Sequence, residues 1–238
     1  MLTVTARLPL FPLGSVLFPG LVLPLNVFEE RYLALFRDLL ALPEDAPRRF
    51  GVVAIRDGHE VAPAGAEEAS AGYAADLSGA LYALGCTADA ATIGEREDGG
   101  FDIVATGTTR FRLLSVDASG PYLVGEVEEV GEVPGTGSGA LAADVARAFR
   151  TYQKRLAGAR ERSLAGNQEL PDDPTVLSYL VAAATVAETT AKQALLEAPD
   201  TADRLEQELR LLRREAAVID KLRTLPAVDL TRQVPSPN

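Results

Sequence analysis

The 238-residue chain has one cysteine, one histidine, one methionine and no tryptophan. A single thiol, Cys86, excludes an internal disulfide and any cysteine-based zinc cage, and fits a reducing compartment. A single imidazole, His59, excludes histidine metal triads and leaves one residue around which a Ser-His pair would have to be built. Basic residues are scarce too: 23 Lys and Arg stand against 34 Asp and Glu, for a net charge of −11. That balance disfavours broad contact with nucleic acid or anionic membrane, which rests on clustered cations. The expectation is no metal, no cofactor and no membrane contact.

From Leu8 to Phe28 there is no charge, long enough to span a bilayer. However, Pro9, Pro12, Pro19 and Pro24 interrupt it, each deleting a helix hydrogen bond. A lone Arg7 is also too little for a signal-peptide leader. The segment reads as short buried strands in a cytoplasmic protein.

Residues 1–133 read mainly as β, with runs at Leu8–Leu10, Val16–Leu25, Phe50–Ile55 and Leu81–Ile93. Further strands are expected at Phe101–Ala105 and Phe111–Val116, either side of Gly107, and at Tyr122–Val130. One helix interrupts them, with Phe28, Tyr32, Leu35, Phe36 and Leu39 on its apolar stripe. Asp57–Gly79 lacks periodicity and reads as a long loop. Six or so short strands with one helix suggest a small closed or half-open barrel.

After Gly131–Gly139 the pattern is helical. Leu141, Val145, Phe149, Tyr152 and Leu156 form one stripe. Asp173-Pro174 opens a helix expected to reach about Ala198, and Pro199-Asp200 opens another carrying Leu205, Leu209, Leu212, Ala216 and Ile219. The organisation is therefore α+β: a barrel domain over 1–133, a linker over 134–140, a C-terminal α-helical bundle over 141–225 and a frayed tail over 226–238.

No chemical constellation emerges. Gly135-Thr-Gly137-Ser-Gly139-Ala140 satisfies a dinucleotide pattern but lacks a following apolar strand. Gly94–Gly99 has Walker spacing, but Gly100 and Phe101 stand where Lys and Ser or Thr are required. The acid pairs Glu67-Glu68, Glu128-Glu129 and Asp172-Asp173 are sequence neighbours, which on a strand point to opposite faces. Cys86 lies on an apolar strand, as a small core residue would.

The stretch LPLFPLGSVLFPGLVLPLNVFEERY (8–32) closely resembles the opening signature of the Lon protease N-terminal (substrate-binding) domain family. Gly107-Thr-Thr-Arg110-Phe111-Arg112 followed by Pro121-Tyr122-Leu-Val124 resembles a second family motif, and Gly85-Cys-Thr-Ala88 with Ile93 a looser third. Leu195–Leu205 is similar to the family's helical half. One departure is Glu30, where many members carry proline.

The resemblance implies a PUA-like β-barrel joined to a helical bundle. It also implies a non-enzymatic module that recruits polypeptides by their exposed apolar segments, with a separate protease or chaperone as a further partner. The full-length protease adds an ATPase and a Ser-Lys peptidase, for which this sequence has neither a Walker lysine nor room. Phe18, Leu21, Tyr32, Tyr82 and Tyr122 are candidate polypeptide-contact residues, large apolar groups near strand ends at a crease between the two halves. Each would otherwise fill the barrel core or pack it onto the bundle. The alternative is an RNA-binding PUA-like module. Arg147, Arg150, Lys154, Arg155, Arg160 and Arg162 would serve it, against the net acidity.

Overall fold

A computed structural model describes residues 5–56, 77, 79–159 and 169–224. The expectations at His59, Glu67-Glu68, Arg160, Arg162 and 226–238, and nearly all of the 57–79 loop, lie outside them. The described residues form a mixed α and β structure with a six-stranded sheet and five helices. In chain order these are β1 (Thr5–Leu13), β2 (Val22–Val27), α1 (Glu30–Leu40), β3 (Arg49–Ala54), β4 (Leu84–Glu95), β5 (Phe101–Asp117) and β6 (Val124–Val130). The helices α2 (Ser138–Ala159), α3 (Pro174–Ala184), α4 (Thr189–Leu196) and α5 (Thr201–Thr224) follow.

The sheet order is β2-β5-β4-β3-β1-β6, and β5 also pairs with β6. The β1–β3 pair is parallel, with Leu10 beside Gly51, and the other pairings are antiparallel. Strand β5 is long enough to serve two neighbours on one edge. Its first half, Phe101–Thr106, takes β2, and its second half, Arg110–Asp117, takes β6. The sequence pattern broke β5 at Gly107, but the strand runs straight through. Glycine serves there as a site of close approach: a Cβ would collide with the Phe18 carbonyl oxygen. That approach is fixed by Gly107 N–H donating to Leu21 O (2.9 Å) and Gly20 N–H donating to Gly107 O (2.8 Å). The charged turn at 95–100 is as expected, with Gly99 at φ 81°.

Helix α1 covers one side of the sheet with Tyr32, Leu33, Leu35, Phe36 and Leu39 buried. Phe36 meets Phe50 edge-on at 5.3 Å between ring centroids, and Tyr32 stacks on Phe11 at 4.2 Å. The helix begins at Glu30, so Phe28 precedes it. The expected C-terminal stripes share a second core, where Val145, Phe149 and Tyr152 of α2 meet Leu177 and Val181 of α3 and Leu205 and Leu212 of α5.

Asp173 caps α3 as its spacing predicts, accepting from Thr175 N–H and Val176 N–H at 2.9 Å each. The helix expected to continue to Ala198 instead breaks at Thr185, whose ψ of 131° is extended. Thr185 Oγ1 turns back to Val181 O (2.7 Å), and Val186 N–H donates to the Tyr152 hydroxyl (3.1 Å). The freed backbone groups are thereby satisfied and a second short helix restarts at Thr189. The glycine-rich stretch after β6 is tied down: Thr201 N–H donates to Val133 O (2.8 Å) and Ala202 N–H to Pro134 O (3.1 Å).

Candidate polypeptide-contact surface

The boundary between sheet and helices is filled. Phe18 and Leu84 pack with Tyr179, Ala182, Leu195, Leu196 and Leu211 in one buried cluster. Charge is buried beside it. Arg110, 1% exposed, donates to Leu196 O (2.8 Å), Ala198 O (2.7 Å) and Gly131 O (3.3 Å), and its Nε lies 2.6 Å from Glu132 Oε1. Glu132 also takes the Tyr179 hydroxyl and lies 3.5 Å from the Arg204 guanidinium, which sits 4.0 Å over the Tyr179 ring. Burial pushes the Tyr179 phenol up. Gln193 Nε2 donates to Leu84 O (2.9 Å), tying α4 to β4. The contacts across this boundary tie sheet to helices, so the crease expected to present apolar surface is occupied by packing.

That disposes differently of the five residues singled out from the sequence. Phe18 is 1% exposed, in the junction cluster, and Tyr32 is 7% exposed, in the sheet core, because each ring lies at the centre of an aromatic contact. Both are packing residues. Leu21 is half-buried and bridges the sheet core and the junction. Tyr82 is half-buried beneath the Arg56 guanidinium, 4.7 Å from its ring. Tyr122 is half-buried and donates to Asp38 Oδ2 at 2.7 Å. Desolvation, with the Asp38 hydrogen bond and charge, raises its phenol to about 12. The fold does not bring these five to one surface. Cys86 is fully buried, and burial raises its thiol to about 12.

A different set of apolar side chains does share a face. Along β2 the burial alternates, with Leu23, Leu25 and Val27 turned inward and Val22, Pro24 and Asn26 outward. Phe28 continues the outward phase. Val22 is 62% exposed and Phe28 79% exposed. Register sets Pro24 beside Val104 of β5 (42% exposed), and Val104 beside Thr92 of β4. Apolar side chains of β2 and β5 thus share the sheet's outer face, with the polar pair Asn26 and Asp102 between them and Phe28. Strand β2 is the sheet's edge, and its proline fits there because an edge has no ladder bond to lose outward. The same proline removes a donor from that edge, so side chains rather than backbone are what this face offers. Period-two alternation in VLPLNVF (22–28) carried this signal, but the helical spacing of Phe28 with Tyr32 masked it.

Among the described residues no group of three His, Cys, Asp or Glu side chains could hold a metal ion, and no helix is long and apolar enough to cross a membrane. The dinucleotide pattern at 135–140 follows β6, whose two pairings are both antiparallel, so the parallel βαβ unit it requires is missing from the described residues.

The sheet and helices together superpose on solved Lon N-terminal domains. The N-terminal domain of a Mycobacterium avium complex Lon protease superposes with a TM-score of 0.59 at 19% identity, covering 89% of this chain and 98% of that one. A Lon N-terminal domain protein from Xanthomonas campestris gives 0.56 at 26% identity, covering 86% and 98%. The family model for the ATP-dependent protease La (LON) substrate-binding domain matches residues 7–214, and the chain belongs to that family. Lon protease 2 of Myxococcus xanthus is 28% identical over 219 residues, which is 89% of this chain and 24% of that protein. The Lon protease of Anaeromyxobacter dehalogenans is 28% identical over 222 residues, 91% of this chain and 24% of that protein. The chain thus spans about a quarter of the length of these proteases.

Proposed function

We propose that the chain is a non-enzymatic, cytoplasmic polypeptide-binding module that recruits client proteins through their exposed apolar segments, for a separate protease or chaperone. Membership of the substrate-binding family supports the class of function. The outward apolar side chains Val22, Pro24 and Val104, with Phe28 79% exposed just past the end of β2, are the observation that carries it, since exposed apolar groups gathered on one face mark an interaction surface. The ladder running β1–β3–β4–β5–β6 and back to β1 supports reading the sheet as a PUA-like barrel, with α2 to α5 as the bundle beyond a boundary near 134–140. On this reading the barrel carries the binding face and the bundle braces it from behind.

The test is binding of the full chain to a permanently unfolded protein, compared with its folded form. Phe28→Ser combined with Val104→Ser should weaken binding at least tenfold, about 1.4 kcal/mol, without changing the melting temperature. Binding should tolerate salt, because apolar burial supplies it. Equal binding by the variant would remove this face from the function. Retention of RNA that fades steeply with salt would instead favour the RNA-binding reading.

A further inference from the structure

Between α2 and α5 lies a cleft of about 490 Å³. Its floor is apolar: Leu212 and Ala216 are buried, and Leu209 and Ala148 half-buried. Its rim carries more cations than anions, with Arg147 and Arg155 on α2, Arg213 on α5, one carboxylate, Asp144, and Thr151 between the first two arginines. Arg147, Thr151 and Arg155 recur every four residues and so share one helix face. In a chain of net charge −11, this is a local reversal of sign.

We propose that this cleft binds an acidic polypeptide segment in which apolar side chains alternate with carboxylates, at a surface separate from the sheet's outer face. Three observations select that occupant. First, Arg147 and Arg155 are eight residues apart, about 12 Å along a helix, which an extended peptide of about four residues spans and a single inorganic anion does not. Second, two of the rim cations already have carboxylate partners, Arg147 with Asp144 and Arg155 with Asp220 at 3.1 Å. Arg213 has no ion-pair partner among the described residues. So mild a surplus of positive charge suits a few carboxylates better than a nucleic-acid backbone, which is held by several unneutralised cations. Third, the Leu209 and Leu212 floor gives nothing to a phosphate but buries an aliphatic side chain. The guanidinium forks on the rim match carboxylates bidentately.

The experiment measures anisotropy of a short labelled peptide alternating Glu and Leu, titrated with the full chain. Its Gln–Leu counterpart, inorganic pyrophosphate and single-stranded RNA are the comparison ligands. The Glu–Leu peptide should bind at least tenfold more tightly than the Gln–Leu peptide, and Arg213→Glu should abolish that preference. Arg213 is exposed, so its variants keep the fold, and Arg213→Lys should restore part of the preference as a charge without the fork. Phe28→Ser should leave this binding unchanged, which separates failure of this cleft from failure of the sheet's outer face. Equal affinity for the two peptides, indifference to Arg213→Glu, or tighter binding of RNA or pyrophosphate would each overturn the proposal.

Discussion

Replacing Arg110 with methionine puts the buried junction under direct load. The methionine keeps most of the aliphatic volume, so the change is chiefly electrostatic and few atoms of packing are lost. Three carbonyl oxygens, on Leu196, Ala198 and Gly131, lose donors at 2.8, 2.7 and 3.3 Å. Glu132 loses its 2.6 Å ion pair but keeps the Tyr179 hydroxyl and the more distant Arg204. Glu132 is 34% exposed and can turn to water, so the cost comes chiefly from the buried Leu196 and Ala198 carbonyls left without a donor. An orphaned buried acceptor costs about 1–3 kcal/mol, so the two together cost about 3 kcal/mol. For a chain of this size each kcal/mol moves the melting temperature by about 2–4 °C, so Arg110→Met should melt roughly 10 °C lower. The control is Arg7→Met. Its partner Asp117 is also 2.7 Å away, but the two side chains are 70% and 45% exposed, and solvent screening leaves such a pair little to contribute. Thermal melts and urea titrations of both variants, with the slope of the urea transition checked for constancy, give the comparison. Equal losses in the two variants, or a loss below about 1 kcal/mol at Arg110, would refute the account of the junction as an ionic clamp.

Further outcomes follow from the same structure. Glu208 is 1% exposed with neither carboxylate oxygen hydrogen-bonded, and burial raises its pKa well above the ordinary value, against the opposing pull of Arg204. The unfolded chain therefore releases this proton first, and the group's contribution to stability falls as pH rises through the gap between the two values. Glu208→Gln should match the wild type near pH 5 and exceed it near pH 8, by at most about 1.4 kcal/mol per pH unit, in melts across that range. Parallel pH profiles would refute the assignment. Cys86, with its thiol raised to about 12 and no exposure, should react with a thiol reagent only on unfolding, as a kinetic trace in urea would show. Gly107→Ala forces a methyl group into the Phe18 carbonyl and should cost on the order of 2 kcal/mol by urea titration.

Much of the architecture is readable from residue order because its signals are local. The Asp173-Pro174 cap, the 95–100 turn and the α2 and α5 stripes each depend on neighbours within about four positions. What escaped depends on distant segments. Gly107 looks like a break until the 18–21 turn is seen to press on it. The pause at Thr185 depends on Tyr152, more than thirty positions earlier. Arg110, Arg204 and Glu208 carry side chains that are mostly exposed in proteins, yet packing buries all three. Ring size likewise marks a residue that must be covered somewhere, but not whether the chain itself covers it. Phe18 and Tyr32 are covered, and Phe28 is not.

Strand β1 lies between β3 and β6, and its pairing with β6 joins Thr5 to Glu128. During synthesis that edge must wait for well over a hundred further residues to leave the ribosome before its partner exists. Through that interval the uncharged run from Leu8 to Phe28 lacks its partner on that side. Its prolines at 9 and 12 leave fewer donors for stray strand pairing, so the newborn chain carries its own deterrent to self-association.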